Sequence, residues 1–300
     1  MIINFISDYD YSQVGWHYSN AIRGGLVKSH SYCLSKHPFG YKERSLLVDR
    51  DTMKAKLKGS DMVVIMHSCA HLIGLIPDGI PYVVMHGGSK YRKQSDKYNE
   101  LFKNAKGAII QTPDLLGKGA NNEVLIGCPV DMTIELQSTS KIKTKFGHFP
   151  SNPMIKGTEK IRVALARALA VDANINTQLI PHRKSLERMA SCAVYIELFN
   201  PLQNGHQYGT FGVTALESAM MGRPVITQCA NYDKYLERYS VDCFKIVQDF
   251  DDLVRAISEC NAMNFESLHL WGNQCRRIVM DQHHPNRIGE QLLTFIKSIL

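Results

Sequence analysis
Short apolar strings rich in branched side chains recur along the first half of the chain: IINFI, SLLVD, MVVIM, YVVM, GAIIQ and EVLIG, separated by helix-like segments. Unbroken apolarity suits a strand whose sheet is covered on both faces, so the series predicts a parallel sheet wrapped by helices. Around residues 132–143 the chain turns polar (MTIELQSTSKIK) and reads as a linker. A second series follows, with strand candidates KFGHF, NTQLI, AVYIEL, PVIT and FKIV and helical patterns near residues 158–170, 213–221 and 251–260. The tail NRIGEQLLTFIKSIL carries apolar residues at helical spacing. The expectation is an α/β protein of two Rossmann-like, doubly wound lobes facing a cleft, residues 1–135 and 136–285, with an amphipathic helix over 286–300 that packs back on the first lobe.

Composition adds bounds. A chain of 300 residues suits two domains of ordinary size, and 44% hydrophobic with 21% charged residues is a globular composition. No apolar run approaches the roughly 20 residues of a membrane span, and MIINFISDYD meets acids too early for a signal peptide, so a cytoplasmic protein is expected. The eight cysteines include no Cys-x-x-Cys pair and read as buried thiols. A formal charge of +7 suits an anionic ligand, a nucleic acid or an anionic membrane surface, but the basic residues are spread over both halves. Charge selects none of these.

Open parallel sheets bind ligands beyond the carboxyl ends of their strands. That rule selects Ser7, Asp8 and the loop to Gly15, then His67 and Ser68, His86 with Gly87 and Gly88, and Pro150, Ser151 and Asn152. Neither Gly-x-Gly-x-x-Gly after the first strand nor Gly-Lys-Ser/Thr is present, which speaks against a dinucleotide fold motif and a P-loop. His67 and His71 lack the neighbours of a zinc motif, so no metal site is expected.

Two helix starts carry more chemistry. In HFPSNPMIKGTEKI, Thr158 can serve as N-cap, Gly157 allows close backbone approach, and Lys156 would place a charge beside an anion held there. A solvated surface lysine fits the same residues. In YGTFGVTALESAMMGRPVIT, Gly209 and Gly212 bracket Thr210 and Phe211 and deliver backbone N–H groups to a helix from about Val213. Glu217 lies one turn inside, where its carboxylate could accept two hydrogen bonds from a vicinal diol such as ribose. An exposed helical glutamate is the commoner explanation of such a residue alone. His86, with Arg92 one to two helical turns on, is either a donor or proton carrier for a substrate or a histidine satisfied by backbone.

Taken together, DYDYSQVGWHYSNAI, VVMHGGSKYR, GHFPSNPMIKGTEKI and GTFGVTALESAMMGRPVIT resemble, in this order, the retaining GT-B glycosyltransferases of the bacterial polysaccharide and lipopolysaccharide type (glycosyl transferases group 1, family 4-like). The resemblance runs from about residue 8 to residue 230. It implies a nucleotide-sugar donor held mainly by the second lobe. Lys156 matches the lysine on the diphosphate, and Glu217 the second of two paired glutamates, on the ribose hydroxyls. Gly209, Thr210, Phe211 and Gly212 match the segment against sugar and diphosphate, with Ser151 and Asn152 in the adjoining donor turn. His86 resembles the histidine near the transferred sugar, and Gly15 the loop near the phosphates; His86, Lys156 and Glu217 form the implied catalytic set. Two departures stand out. The first paired glutamate is replaced by Gly209, and His148 with Phe149 stand where an arginine is common, which shifts weight to Lys156 or Arg92 and leaves Glu197 as a candidate for the missing acid.

The implied reaction moves a sugar from a UDP- or GDP-sugar to a hydroxyl acceptor with retention, without metal or cofactor, in polysaccharide or glycoconjugate synthesis. A carbohydrate or lipid-linked acceptor fits, and so does modified DNA. An epimerase on the same fold would need no acceptor, and a non-catalytic nucleic-acid-binding protein would use KAKLK and SKYRKQSDK as phosphate contacts. The same basic residues would suit peripheral contact with an anionic membrane. The LFNPLQNGHQY loop is the expected donor selector, and the sequence sets no oligomeric state.

Overall fold
The computed structural model describes every residue except Pro38, Lys42, Glu43, Asn204 and Gly205, so part of the LFNPLQNGHQY loop lies outside the described residues. The chain forms two compact units, one of Met1–Pro129 with His283–Leu300 and one of Val130–Gln282. The first boundary therefore precedes the polar stretch.

Unit 1 is built on a parallel sheet of seven strands: β1 (Ile2–Ser7), β2 (Lys28–Cys33), β3 (Leu46–Leu47), β4 (Met62–Ile65), β5 (Tyr82–His86), β6 (Ala108–Ile110) and β7 (Glu123–Leu125). Their order is β3-β2-β1-β4-β5-β6-β7, and β1 pairs with both β2 and β4. Its helices before the crossing to unit 2 are α1 (Val14–Ile22), α2 (Arg50–Leu57), α3 (Ser89–Lys93) and α4 (Ser95–Leu101). All four residues of β4 are buried, as a central strand covered on both faces requires. The strand that no apolar string announces is β2, sequence KSHSYC. Its buried Ser29 and Ser31 are satisfied by the hydroxyls of Ser19 at 2.9 Å and Ser45 at 2.8 Å, so a polar segment occupies the sheet interior without orphaned groups.

Unit 2 holds a second parallel sheet of β8 (Thr144–His148), β9 (Ala173–Ile175), β10 (Cys192–Leu198), β13 (Val225–Thr227) and β14 (Lys245–Ile246), in the order β14-β13-β10-β8-β9. A two-stranded hairpin, β11 (Leu202–Gln203) with β12 (His206–Gln207), interrupts the series after β10. Helices α5 (Pro153–Lys156), α6 (Thr158–Arg167), α7 (His182–Ala190), α8 (Val213–Met220), α9 (Tyr232–Tyr239), α10 (Phe250–Ala262) and α11 (Phe265–Gln282) complete the unit. Phe146, Ile161, Ala164, Val194, Ile196, Ile226, Leu253 and Ile257 form its core between sheet and helices. The NTQLI string is not a strand: β9 ends before it, and Leu179 is 60% exposed. The fully buried Arg223 explains the GRP sequence after α8, because one of its terminal nitrogens donates to Ser138 O (3.0 Å) and Ala190 O (2.9 Å).

The chain then returns to unit 1 as α12 (Pro285–Ile299). It packs on α1 so closely that a Cβ at Gly289 would sit 2.2 Å from Ala21 O, and glycine is required there. All eight cysteines are buried thiols outside any disulfide. Among the described residues no helix is long and apolar enough to cross a membrane.

Candidate active site
In unit 2 the chemistry gathers at the carboxyl ends of β8, β10 and β13. His148 closes β8 and is 1% exposed. Its Nδ1 lies 2.7 Å from Ile196 O and must carry the hydrogen, so Nε2 accepts from the Thr158 hydroxyl at 2.9 Å. Burial pushes its pKa down to about 4. The ring is neutral and internally bonded, so it brings no charge to the position where an arginine is common. Ser151 and Asn152 are exposed, and Asn152 caps the short α5 by accepting from Ile155 N at 3.1 Å.

The next turn corrects an expectation. Thr158 is not the N-cap of α6; Gly157 is, in left-handed backbone at φ +70°. A Cβ there would meet Phe199 O at 1.9 Å, so the close approach is to the chain itself. Phe199 N in turn donates to Lys156 O at 3.1 Å, which ties the lysine turn to the end of β10.

Lys156 Nζ bonds Glu197 Oε1, and the Glu197 side chain is fully buried. The same oxygen accepts from Thr214 Oγ1 at 3.2 Å and from Gly212 N at 3.4 Å, while Oε2 accepts from Thr227 Oγ1 at 2.9 Å. The N-cap amide of α8 thus already faces an anion, the chain's own carboxylate. Thr210 and Phe211 are also turned inward. The Thr210 hydroxyl lies 2.8 Å from Cys229 Sγ, and the Phe211 ring meets Tyr235 and Phe244 edge-on at 4.8 and 5.1 Å. Gly209 has φ +77°, a conformation that disfavours a glutamate, although nothing lies closer than 3.5 Å to a Cβ there.

Glu217 is buried at 7% exposure, not a surface helical acid. Its Oε1 accepts from Nε2 of His182, the first residue of α7, at 2.7 Å. Its Oε2 is buried with no hydrogen-bond partner. Both acids act on the buried Tyr195: burial, reinforced by the charges of Glu197 and Glu217, holds its phenol well above the ordinary range. Sequence reading missed His182, whose contact spans 35 positions. The only sequence signal was its place after a proline at the start of a helical segment.

In unit 1, His86 ends β5 at 1% exposure, with Nδ1 2.9 Å from Ser68 Oγ and its ring stacked on Tyr91 at 3.7 Å. Burial pushes its pKa to about 3, so it is no proton carrier near neutrality. Arg92 pairs with Asp114 inside the same unit. Gly15 N donates to Asp10 Oδ1 at 2.7 Å and Trp16 N to Oδ2 at 2.9 Å, so the loop's amides serve a buried aspartate instead of standing free. Burial alone would raise the Asp10 pKa, but His67, Ser45 and the Gly15 N–H outweigh it and hold it below the usual value.

These histidines make a prediction about stability. His86, His148 and His283, the last bonded through Nδ1 to Cys128 O at 2.7 Å, are neutral when folded, with pKa values pushed to about 3, 4 and 4 from an ordinary 6.5. Below pH 6.5 the unfolded chain therefore binds protons that the folded chain does not, and stability is lost as pH falls from there toward the folded values. Each contributes a slope of up to about 1.4 kcal/mol per pH unit. The melting temperature should be level above pH 7 and fall between pH 6.5 and 5, where carboxylates stay ionised; a flat profile there would refute the neutral buried state.

No protein-family model matches the sequence, and no curated protein matches it. Solved structures do match the fold. Anabaena Alr3699/HepE in complex with UDP-glucose aligns with a TM-score of 0.72 at 14% identity over 99% of this chain and 100% of that one. Sucrose-phosphate synthase from Thermosynechococcus elongatus aligns at 0.66 and 12% identity, over 100% and 99%. An α-glucosyltransferase in complex with UDP and a 13-mer DNA containing a central A:G mismatch aligns at 0.64 and 12%, over 99% and 98%. With two parallel sheets wrapped by helices and full-length alignment to these enzymes, the chain has the GT-B fold of glycosyltransferases.

Proposed function
We propose that the protein is a glycosyltransferase that moves a sugar from a nucleoside-diphosphate sugar, UDP- or GDP-linked, to a hydroxyl acceptor with retention of configuration. The observation that carries this reading is Glu217: an acid buried one turn inside α8 whose Oε2 lacks a partner, on a fold shared with a protein solved with UDP-glucose. A ribose hydroxyl is a donor of the kind that oxygen lacks.

In this reading Lys156, 20% exposed at its side chain, faces the diphosphate while Glu197 holds it in place. As the bond from the anomeric carbon to the phosphate oxygen breaks, the electron pair stays on that oxygen and Lys156 stabilises the charge. The acceptor oxygen forms its bond to the same face of the carbon, and its proton passes to the departing phosphate. With Gly209 in place of an acid, no carboxylate nucleophile is supplied by that segment. His86 supports the loop at the end of β5 and moves no proton. The chemistry requires no metal, and carbohydrate or lipid-linked acceptors, in polysaccharide or glycoconjugate synthesis in the cytoplasm, fit it. Basic residues such as those of KAKLK would allow peripheral contact with an anionic membrane.

A panel of UDP-, GDP-, ADP- and CMP-sugars tests the proposal. One base class should raise the melting temperature by several degrees and be slowly hydrolysed without acceptor; both signals flat across the panel, in folded protein, would remove the transferase reading. Transfer to modified DNA is a second reading, favoured by the structural neighbour solved with DNA and by the charge of +7. It requires DNA affinity that falls steeply with salt.

A further inference from the structure
Unit 2 also holds a pocket of about 560 Å³, between the carboxyl ends of β10, β13 and β14 and the β11–β12 hairpin. That volume is within the roughly 300–1,000 Å³ of small-molecule sites. Phe199, Pro201, Leu202, Tyr208, Val247 and Phe250 form its apolar walls. None of its lining residues belongs to α7 or α8, the helices of His182 and Glu217.

Polarity is graded across the pocket. Phe199, Tyr208 and Val247 are 2%, 5% and 2% exposed, whereas Lys160, Gln207, Gln248 and Asp249 stand exposed at its rim. The buried Gln228 in its lining is bonded at both ends: Oε1 accepts from Asn200 N, and Nε2 donates to Asn200 O at 3.2 Å and to Tyr208 O. A sugar ring on such a floor would lose water from its hydroxyls without replacement, while a hydrocarbon gains by burial there. Leu202, 58% exposed on the hairpin, is an apolar lip that an occupant would cover. The walls also adjoin the segments that the donor reading uses. Phe199 O abuts Gly157 and Phe199 N holds Lys156 O, while Tyr208 runs directly into Gly209, whose carbonyl accepts from Ala230 N at 3.0 Å.

We propose that this pocket takes the hydrocarbon chain of an amphipathic acceptor, the chain lying against Phe199, Tyr208 and Val247 and the hydroxyl-bearing head at the polar rim. This rests on the transferase reading and selects, among its acceptors, the lipid-linked class.

The probes are n-butyl, n-hexyl and n-octyl β-D-glucosides below their micelle concentrations, with methyl and phenyl glucosides beside them, titrated calorimetrically into the full chain. Affinity should rise roughly tenfold for every two methylenes buried, and methyl glucoside should give no heat of binding. Leu202→Asp, at an exposed position, should weaken octyl glucoside about tenfold without moving the melting temperature. Leu202→Met should bind it within about threefold of the wild type. Binding that ignores chain length, or that is unchanged in Leu202→Asp, overturns the pocket. Phenyl glucoside binding more tightly than hexyl glucoside overturns the hydrocarbon chain in favour of a flat ring. With whichever nucleotide-sugar raises the melting temperature, octyl glucoside should accept sugar with a KM about tenfold or more below that of methyl glucoside, and Leu202→Asp should remove the difference. Chain-length-dependent binding with equal KM values overturns the acceptor role. If no nucleotide-sugar binds folded wild type, the transferase reading fails and the acceptor role with it, while the titrations still decide the pocket.

Discussion

A Gly157→Ala variant is expected to lose more than about 3 kcal/mol of stability in unit 2 and to lose donor binding with it. Two costs add. The residue sits at φ +70°, where a side chain costs about 1 kcal/mol or more, and the new methyl would lie 1.9 Å from Phe199 O. That carbonyl cannot step aside cheaply, because Phe199 is 2% exposed within the unit's core and its N–H holds Lys156 O. Relief must come from opening the turn that carries Lys156. Thermal unfolding with hydrogen exchange at residues 153–160 checks this: the melting temperature should drop and protection of the turn should disappear. A variant that melts like wild type would mean that the turn is not built on this contact.

Removing the lysine should separate folding from chemistry. Lys156→Ala leaves the fully buried Glu197 carboxylate with Thr214, Thr227 and Gly212 as its remaining donors. Breaking a buried pair costs 3–5 kcal/mol, but Lys156 is partly exposed, so the expected loss is nearer about 2 kcal/mol. Donor turnover should fall roughly 10²- to 10³-fold, the usual effect of removing one group that stabilises developing charge. The double variant Lys156→Ala with Glu197→Gln neutralises the stranded acid. It should regain most of the melting temperature and none of the turnover. Turnover near the wild-type rate in either variant would take Lys156 out of the reaction.

How far the sequence could be read depended on what held each piece in place. Strands β1, β4, β5 and β10 were legible because burial on both faces demands largely apolar strings. β2 was not, since its interior positions are serines paired to other hydroxyls, invisible to any scale of apolarity. NTQLI misled because its apolar pair belongs to an exposed loop beyond the short edge strand β9. The 18-residue α11 passed without a prediction. At the site, glycine-bounded helix starts marked Lys156 and Glu217 as candidates, and the family resemblance rather than their spacing gave them roles. What those starts face was not legible: Glu197 at α8, Asp10 at α1 and His182 against Glu217 come from segments distant in sequence or from loop geometry, and each claims a group that spacing alone presents as free. Arg92 illustrates the same limit, because nothing in VVMHGGSKYR reveals Asp114 as its partner.

The return of α12 to α1 also has a consequence for synthesis. The first unit lacks a helix that it packs closely until residues 285–299 emerge, and the whole of Val130–Gln282, about 150 residues, is made in between. At 5–20 residues per second that interval is roughly 8–30 seconds. During it the face of α1 around Ala21 and the backbone carbonyl of Cys128 stand without Gly289 and His283, while the second unit can fold complete. The unit translated first is therefore completed only after the second has been made.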